Sequence, residues 1–150
     1  MTIRPMLRED IARVMEIAAA LPGAPHWSEY VYAGVLAPDA VPARIALVAD
    51  DPLTGLVGFL VAVLIPPQAE LESIAVLAHT QRQGIGALLF AELMAVAKKK
   101  QITEVMLEVR ESNRPARAFY ASAGFVQTGR RTGYYSDPKE DAVLLQRSTI

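Results

Sequence analysis

The chain has 150 residues, with 15 Lys and Arg against 16 Asp and Glu and no cysteine. That length predicts one domain, 1–150, able to bury roughly two thirds of the surface its unfolded chain would expose. A charge near neutral excludes the electrostatic signature of a nucleic-acid groove, and the missing cysteines exclude disulfides, thiolate metal sites and a thiol nucleophile.

At the start, Thr2 to Pro5 reads as a short strand. Arg4, Arg8, Glu9, Asp10 and Arg13 leave no room for the apolar core of a signal peptide there. Ile11, Val14, Met15 and Ala18 then recur at the spacing of an amphipathic helix, which Pro22-Gly23-Ala24-Pro25 ends. Ser28 is a good N-cap for a second short helix running to about Leu36. Arg44 to Ala49 and Leu56 to Ile65 read as strands of an antiparallel hairpin around Asp50-Asp51-Pro52-Leu53-Thr54-Gly55. The second is the longest apolar run, and falls short of the ~20 residues that span a bilayer, so no membrane partner is expected.

Leu71 to Val76 predicts another strand, and Ile85 to Lys100 a long helix. Lys98, Lys99 and Lys100, the one basic cluster, fall at that helix's C-terminus, where cations meet the dipole favourably. Glu104 to Val109 is a strand with Val105, Leu107 and Val109 on one face. Asn113 caps a helix with Pro115 in its first turn, whose buried side carries Ala116, Phe119, Tyr120 and Ala123 until Gly124 ends it. Phe125 to Tyr135 and Ala142 to Gln146 supply the last strands. This alternation predicts a mixed α/β sheet with helices on both faces.

The most informative segment is Gln81-Arg82-Gln83-Gly84-Ile85-Gly86-Ala87, which joins a strand to the long helix. The first amides of a helix lack intrahelical partners and sit at its positive end, so a phosphate can be held there by main chain alone. A side chain at Gly84 or Gly86 would keep that phosphate away. A turn that uses its glycines only for geometry has the same signature. Neither the Gly-x-x-x-x-Gly-Lys-Ser/Thr loop nor the dinucleotide fingerprint is present, since Leu89 stands where the third glycine would.

Ile74-Ala75-Val76, Gln81-x-x-Gly84-x-Gly86, Glu108-Val109-Arg110-x-Ser112-Asn113 and Ala118-Phe119-Tyr120-x-x-x-Gly124-Phe125 together resemble, in order and spacing, the GNAT acetyltransferases. Tyr134-Tyr135 followed by Glu140-Asp141-Ala142 resembles the RimI type, the ribosomal-protein-alanine N-acetyltransferases. The resemblance runs from Ile3 to Leu145 and implies the GNAT fold, a mixed, mostly antiparallel sheet flanked by helices. It also implies acetyl-CoA as co-substrate, without a metal, and a cytoplasmic enzyme. The pyrophosphate would lie on the amides of Arg82, Gln83, Gly84, Ile85, Gly86 and Ala87, with the pantetheine arm along Ile74, Ala75 and Val76. Asn113 and Tyr120 would complete the cofactor contacts.

By the same resemblance Glu108 is the general base and Tyr120 the general acid. Read from the residues alone, Glu108 is equally a strand-end carboxylate paired with Arg110, and Tyr120 a core aromatic beside Phe119. Glu70 and Glu72, on the strand before the glycine turn, compete for the base role. His26 and His79 lie in predicted loops without a metal-ligand pattern.

The resemblance also implies that the acceptor amine enters between the loop Pro25-His26-Trp27-Ser28, in which His26 is an insertion relative to the RimI-type pattern, and the turn from Tyr134 to Asp141. Trp27, Tyr30, Tyr32, Tyr134 and Tyr135 would form an aromatic rim, with Asp137, Glu140 and Asp141 attracting a cation. Loop packing and solvated charges account for the same residues. The resemblance points to a protein N-terminus as acceptor, such as that of a small-subunit ribosomal protein. A small amine (a polyamine or an antibiotic) and a regulatory module that binds acyl-CoA without turnover are the alternatives.

Overall fold

The computed structural model describes residues 1–21, 24–81 and 83–150. Strand β1 (Thr2–Pro5) leads through a 3-10 turn to helix α1 (Ile11–Ala19) and then α2 (Glu29–Leu36). Three strands follow, β2 (Arg44–Asp51), β3 (Gly55–Ile65) and β4 (Gln68–Val76), then α3 (Ile85–Lys99), β5 (Glu104–Arg110), α4 (Arg114–Ser122), β6 (Val126–Tyr135) and β7 (Glu140–Ser148). All seven strands form one sheet in the order β1-β2-β3-β4-β5-β7-β6. Every neighbouring pair is antiparallel except β4 with β5, which are joined by the α3 crossover.

The expected caps are in place. The Val31 N–H donates to Ser28 Oγ at the start of α2, and the Ala116 N–H to Asn113 Oδ1 at the start of α4. At the end of α4, Gly124 takes the left-handed conformation (φ 92°) and the Phe125 N–H returns to the Tyr120 carbonyl at 3.0 Å.

Two apolar clusters cover the two faces of the sheet. On one, Leu89, Phe90 and Leu93 of α3 and Tyr120 of α4 pack on Leu60, Val105, Leu107 and Val143. On the other, Val14 and Ile17 of α1 and Tyr32 of α2 pack on Val48, Phe59 and Val61. Burial of this many aliphatic side chains, each contributing ~1.5–3 kcal/mol relative to exposure, is what fixes the layers. Arg4 adds a polar anchor: it bonds the buried Asp10 carboxylate at 2.8 Å and Asp50 of β2 at 3.2 Å. The Arg4 guanidinium holds the Asp10 carboxyl below the usual carboxylate range.

One irregularity shapes everything functional. Against β3, Val61 pairs with Ser73 but Ala62 pairs with Leu71, so Glu72 is an extra residue, a β-bulge. Bulges bend a strand and increase its twist. Correspondingly, β4 and β5 pair only from Gln68 with Glu104 to Glu70 with Met106. Past that point β4 stays on β3 as far as Val76 and β5 stays on β7 as far as Arg110, and the two part company.

Candidate active site

The opening between β4 and β5 is flanked by a groove of about 580 Å³. Ile74, Ala75 and Val76 form one wall, and Asn113, Pro115, Ala116, Phe119 and Tyr120 of the α4 segment form the other. Gly84, Ile85, Gly86 and Ala87 close one end, and Leu21 and Ala24 contribute a lip. The first turn of α3 carries no side-chain cap, and Gly84 itself is left-handed with φ 78°. Its first internal bond runs from the Leu88 N–H to the Gly84 carbonyl, which leaves the preceding amides facing outward. A Cβ on Gly86 would lie 2.7 Å from the Phe119 ring, so glycine is needed there for the approach of the two helices as well as for access.

A second cavity of about 270 Å³ lies across the same opening. Glu108, Arg110 and Tyr135 line it from one side, Glu72 and Ser73 from the other, and Pro25 at its edge. The two cavities share Ile74, Asn113, Ala116 and Tyr120, so a molecule in the groove and one in the cavity would meet at that wall. Tyr120 is 9% exposed and stacked edge-on to Phe90, and burial pushes its hydroxyl up to about 12. It holds its proton at neutral pH. Asn113 spends Oδ1 on its cap, which leaves its side-chain amide donors for a ligand.

The acetyltransferase (GNAT) family profile matches residues 11–125. The chain belongs to that family. A Bacillus subtilis (strain 168) relative, provisionally named a ribosomal protein bS18-alanine N-acetyltransferase, is 30% identical over 143 residues, 95% of this chain and 92% of the relative. The Escherichia coli (strain K12) ribosomal protein bS18-alanine N-acetyltransferase is 36% identical over 92 residues, 60% of this chain and 62% of that enzyme. The crystal structure of the E. coli ribosomal-protein-S18-alanine N-acetyltransferase superposes with a TM-score of 0.84 at 28% identity, covering 99% of this chain and 93% of that one. The protein is thus an acetyl-CoA-dependent N-acetyltransferase of the GNAT fold, and the reading as a module without turnover is set aside.

Most residues expected at the site of this acetyltransferase converge on the two cavities, with informative exceptions. Arg82 lies outside the described residues. Gln83 is exposed and does not line the groove, whereas Gln81 does, and donates to the Val76 carbonyl at 2.9 Å. Phe119, expected in the core, packs against it as a half-buried residue and forms groove wall as well. Trp27 packs on Tyr32 at 5.4 Å and lines neither cavity, its neighbour Pro25 taking that place. Tyr32 is fully buried and Tyr30 is 88% exposed, so of the expected aromatic rim only Tyr135 lines the cavity, with the half-exposed Tyr134 outside it beside Glu108.

The carboxylates sort themselves by partner. Glu108 is not paired with Arg110, as the strand spacing allowed, but with Arg131 of β6 at 3.3 Å. Arg110 instead stacks over Tyr135 at 4.4 Å and bonds Glu140 at 3.2 Å. Glu140 also accepts the Ser112 N–H at 2.6 Å, and Asp141 accepts the Gly133 N–H at 2.8 Å and pairs with Arg130 at 3.1 Å. Those two acids therefore brace the last turn and are not available to draw in a cation. Glu72 is tied to Arg44 at 2.8 Å. Glu70 has no ion-pair partner among the described residues, and its carboxyl is pushed up by desolvation first and then by Glu108 and Glu72, but it does not line the cavity. The Glu108 carboxylate sits beside Tyr134 and pushes that hydroxyl up. Sequence reasoning placed Pro25 in the acceptor loop but missed Ser73 and Arg131, neither of which carries a local motif.

Proposed function

We propose that this acetyltransferase acts on the N-terminal α-amine of a protein, of the class represented by the alanine of a small-subunit ribosomal protein, a setting in the cytoplasm. The observation that carries this is the meeting of two open cavities at Ile74, Asn113, Ala116 and Tyr120, with Glu108 on the side away from the groove. Acetyl-CoA would take the groove, its pyrophosphate on the amides of Ile85, Gly86 and Ala87 and its pantetheine arm along the unpaired edge of β4. The acceptor would enter the smaller cavity between Pro25 and Tyr135. The names of the bS18-alanine relatives support the choice of acceptor.

In the proposed reaction the amine nitrogen attacks the thioester carbonyl carbon and the C–S bond breaks. An α-ammonium has a pKa of about 7.7–8.0, so a carboxylate acting directly or through one water needs only to take one loosely held proton, and Glu108 is that base. The sulfur leaves as thiolate and accepts the Tyr120 phenolic proton. Burial raises the proton affinity of the thiolate and of the Tyr120 phenolate alike, so the phenolate is reprotonated from solvent once the thiol has left. The proposed attack is direct, in a ternary complex, and the chain has no cysteine to form an acetyl-cysteine intermediate.

The test is CoA thiol release from acetyl-CoA with short peptides of free N-terminus, set against the same peptides blocked at the N-terminus and a panel of polyamines and aminoglycosides. Release with free peptides alone is expected. Release with the small amines and none with peptides would overturn the acceptor assignment.

A further inference from the structure

We infer that Arg131, on the outermost strand of the sheet, is a positioning residue for the reaction and holds the Glu108 carboxylate where it can receive the proton of the acceptor amine. This rests on Glu108 as the base proposed above and adds the group that aims it. The register puts the two on one face of the sheet. Glu108 of β5 lies opposite Leu144 of β7, and Arg131 of β6 lies opposite Ala142, two residues along β7 and so on the same side. Val143 and Leu145, which alternate with these, pack in the α3 and α4 layer, so Glu108 and Arg131 stand on the other face. Strand β7 separates them, a distance of about 10 Å between backbones that a glutamate and an arginine bridge only by extending toward each other. Arg131 Nε stands 3.3 Å from Glu108 Oε1. An irregularity of β6 adds a second contact. Arg131 pairs with Ala142 and Tyr135 with Glu140, so β6 carries two more residues than β7 over the same interval. Residues three apart on a regular strand face opposite sides, yet here Arg131 Cζ lies over the Tyr134 ring, 5.2 Å from its centre, and Tyr134 is beside Glu108 as well.

The surrounding charges give this contact its consequence. Burial first, then the charges of Glu108 and Glu72, push the Glu70 carboxyl up, and Arg131 is the cation that opposes them. Glu72 has its own partner in Arg44. The arginine that lines the cavity, Arg110, is taken up by Glu140 and by the carbonyls of Ser136 and Pro138. Among the described residues, Arg131 is therefore the cation left to Glu108. Without it the carboxylate would face like charges on β4 and turn toward water, and a reacting group displaced by about an ångström loses much of its effect. The same pair matters little to the fold, because the Arg131 side chain is 55% exposed and exposed ion pairs contribute little to stability.

The test is a double-variant cycle. Arg131→Met keeps the stem of the side chain and removes its charge. CoA release is followed with an acceptor that supports it, and kcat and both KM values are measured per folded site, counted by CoA titration, in the parent, Arg131→Met, Glu108→Gln and the double variant. We expect Arg131→Met to lower kcat about tenfold, a part of what the base supplies, with the KM for acetyl-CoA unchanged. In the Glu108→Gln background the same change should cost less than about twofold, because no carboxylate is left to position. A loss of equal size in both backgrounds would make Arg131 structural and overturn the inference. So would a parent-like kcat in Arg131→Met, or a change confined to the acceptor KM, which would make Arg131 a contact of the acceptor. A parent-like kcat in Glu108→Gln would overturn the base reading and this inference together.

Discussion

The groove and the cavity on either side of the sheet opening are built from different materials. In the groove one wall offers main-chain groups, the amides at the start of α3 and the bared edge of β4, faced by side chains of the α4 segment. In the cavity the ligand-facing groups are side chains from the α1–α2 loop, β4, β5, the start of α4 and the end of β6. A main-chain site tolerates most substitutions around it and fails when bulk or charge is placed on its glycines. A side-chain site fails one group at a time, and each loss changes a different kinetic constant.

The largest expected effect is at the wall the two sites share. Tyr120→Phe keeps the ring that packs on Phe90, so stability should shift by no more than ~1.5 kcal/mol. Turnover should fall by the ~10²–10⁴-fold typical of a lost general acid, with acetyl-CoA affinity preserved. Steady-state kinetics beside a thermal melt decide it, and parent-like kcat would return Tyr120 to the core.

Gly86→Asp should act first on the groove, weakening CoA binding by roughly 10²-fold because a carboxylate stands against the phosphates and its Cβ displaces the Phe119 ring. Titration calorimetry on folded protein measures this, and normal affinity would remove the helix start from the site. Glu108→Gln should act on the cavity alone. Its loss, ~10²-fold near neutral pH, should shrink as pH rises past about 8, where the amine is already free. A pH–rate profile lowered uniformly would make Glu108 structural and turn attention to Glu70.

The smallest effect is expected from Asp10→Asn, which touches neither site and breaks the anchor to Arg4. The folded-state pKa of Asp10 is depressed, so its contribution is present above the unfolded value of about 3.9 and is lost as pH falls through the folded value. Denaturant melts should show a cost of ~1–3 kcal/mol at pH 7 that narrows below about pH 4, with CoA release unaltered. A cost that persists unchanged at pH 3 would mean that the carboxylate charge is not what Arg4 holds.

The sequence alone determined the element order, the caps at Ser28 and Asn113, and the glycine turn before α3. Each depends on residues within one or two turns of chain, where spacing and backbone permissiveness are direct physical constraints. It also placed Glu108 on the face of β5 away from Leu107 and Val109, because strand alternation is local. What it left open was decided at long range. The bulge at Glu72 shows only against the register of β3, and the parting of β4 from β5 follows from that register and not from any residue of either strand. The pairing of Glu108 with Arg131 rather than Arg110, and of Arg110 with Glu140, requires β6 and β7 to be folded back beside β5. Ser73 reads in sequence as an ordinary strand serine. Only the layers packed around it bury its hydroxyl, since burial belongs to the assembled sheet and not to the chain.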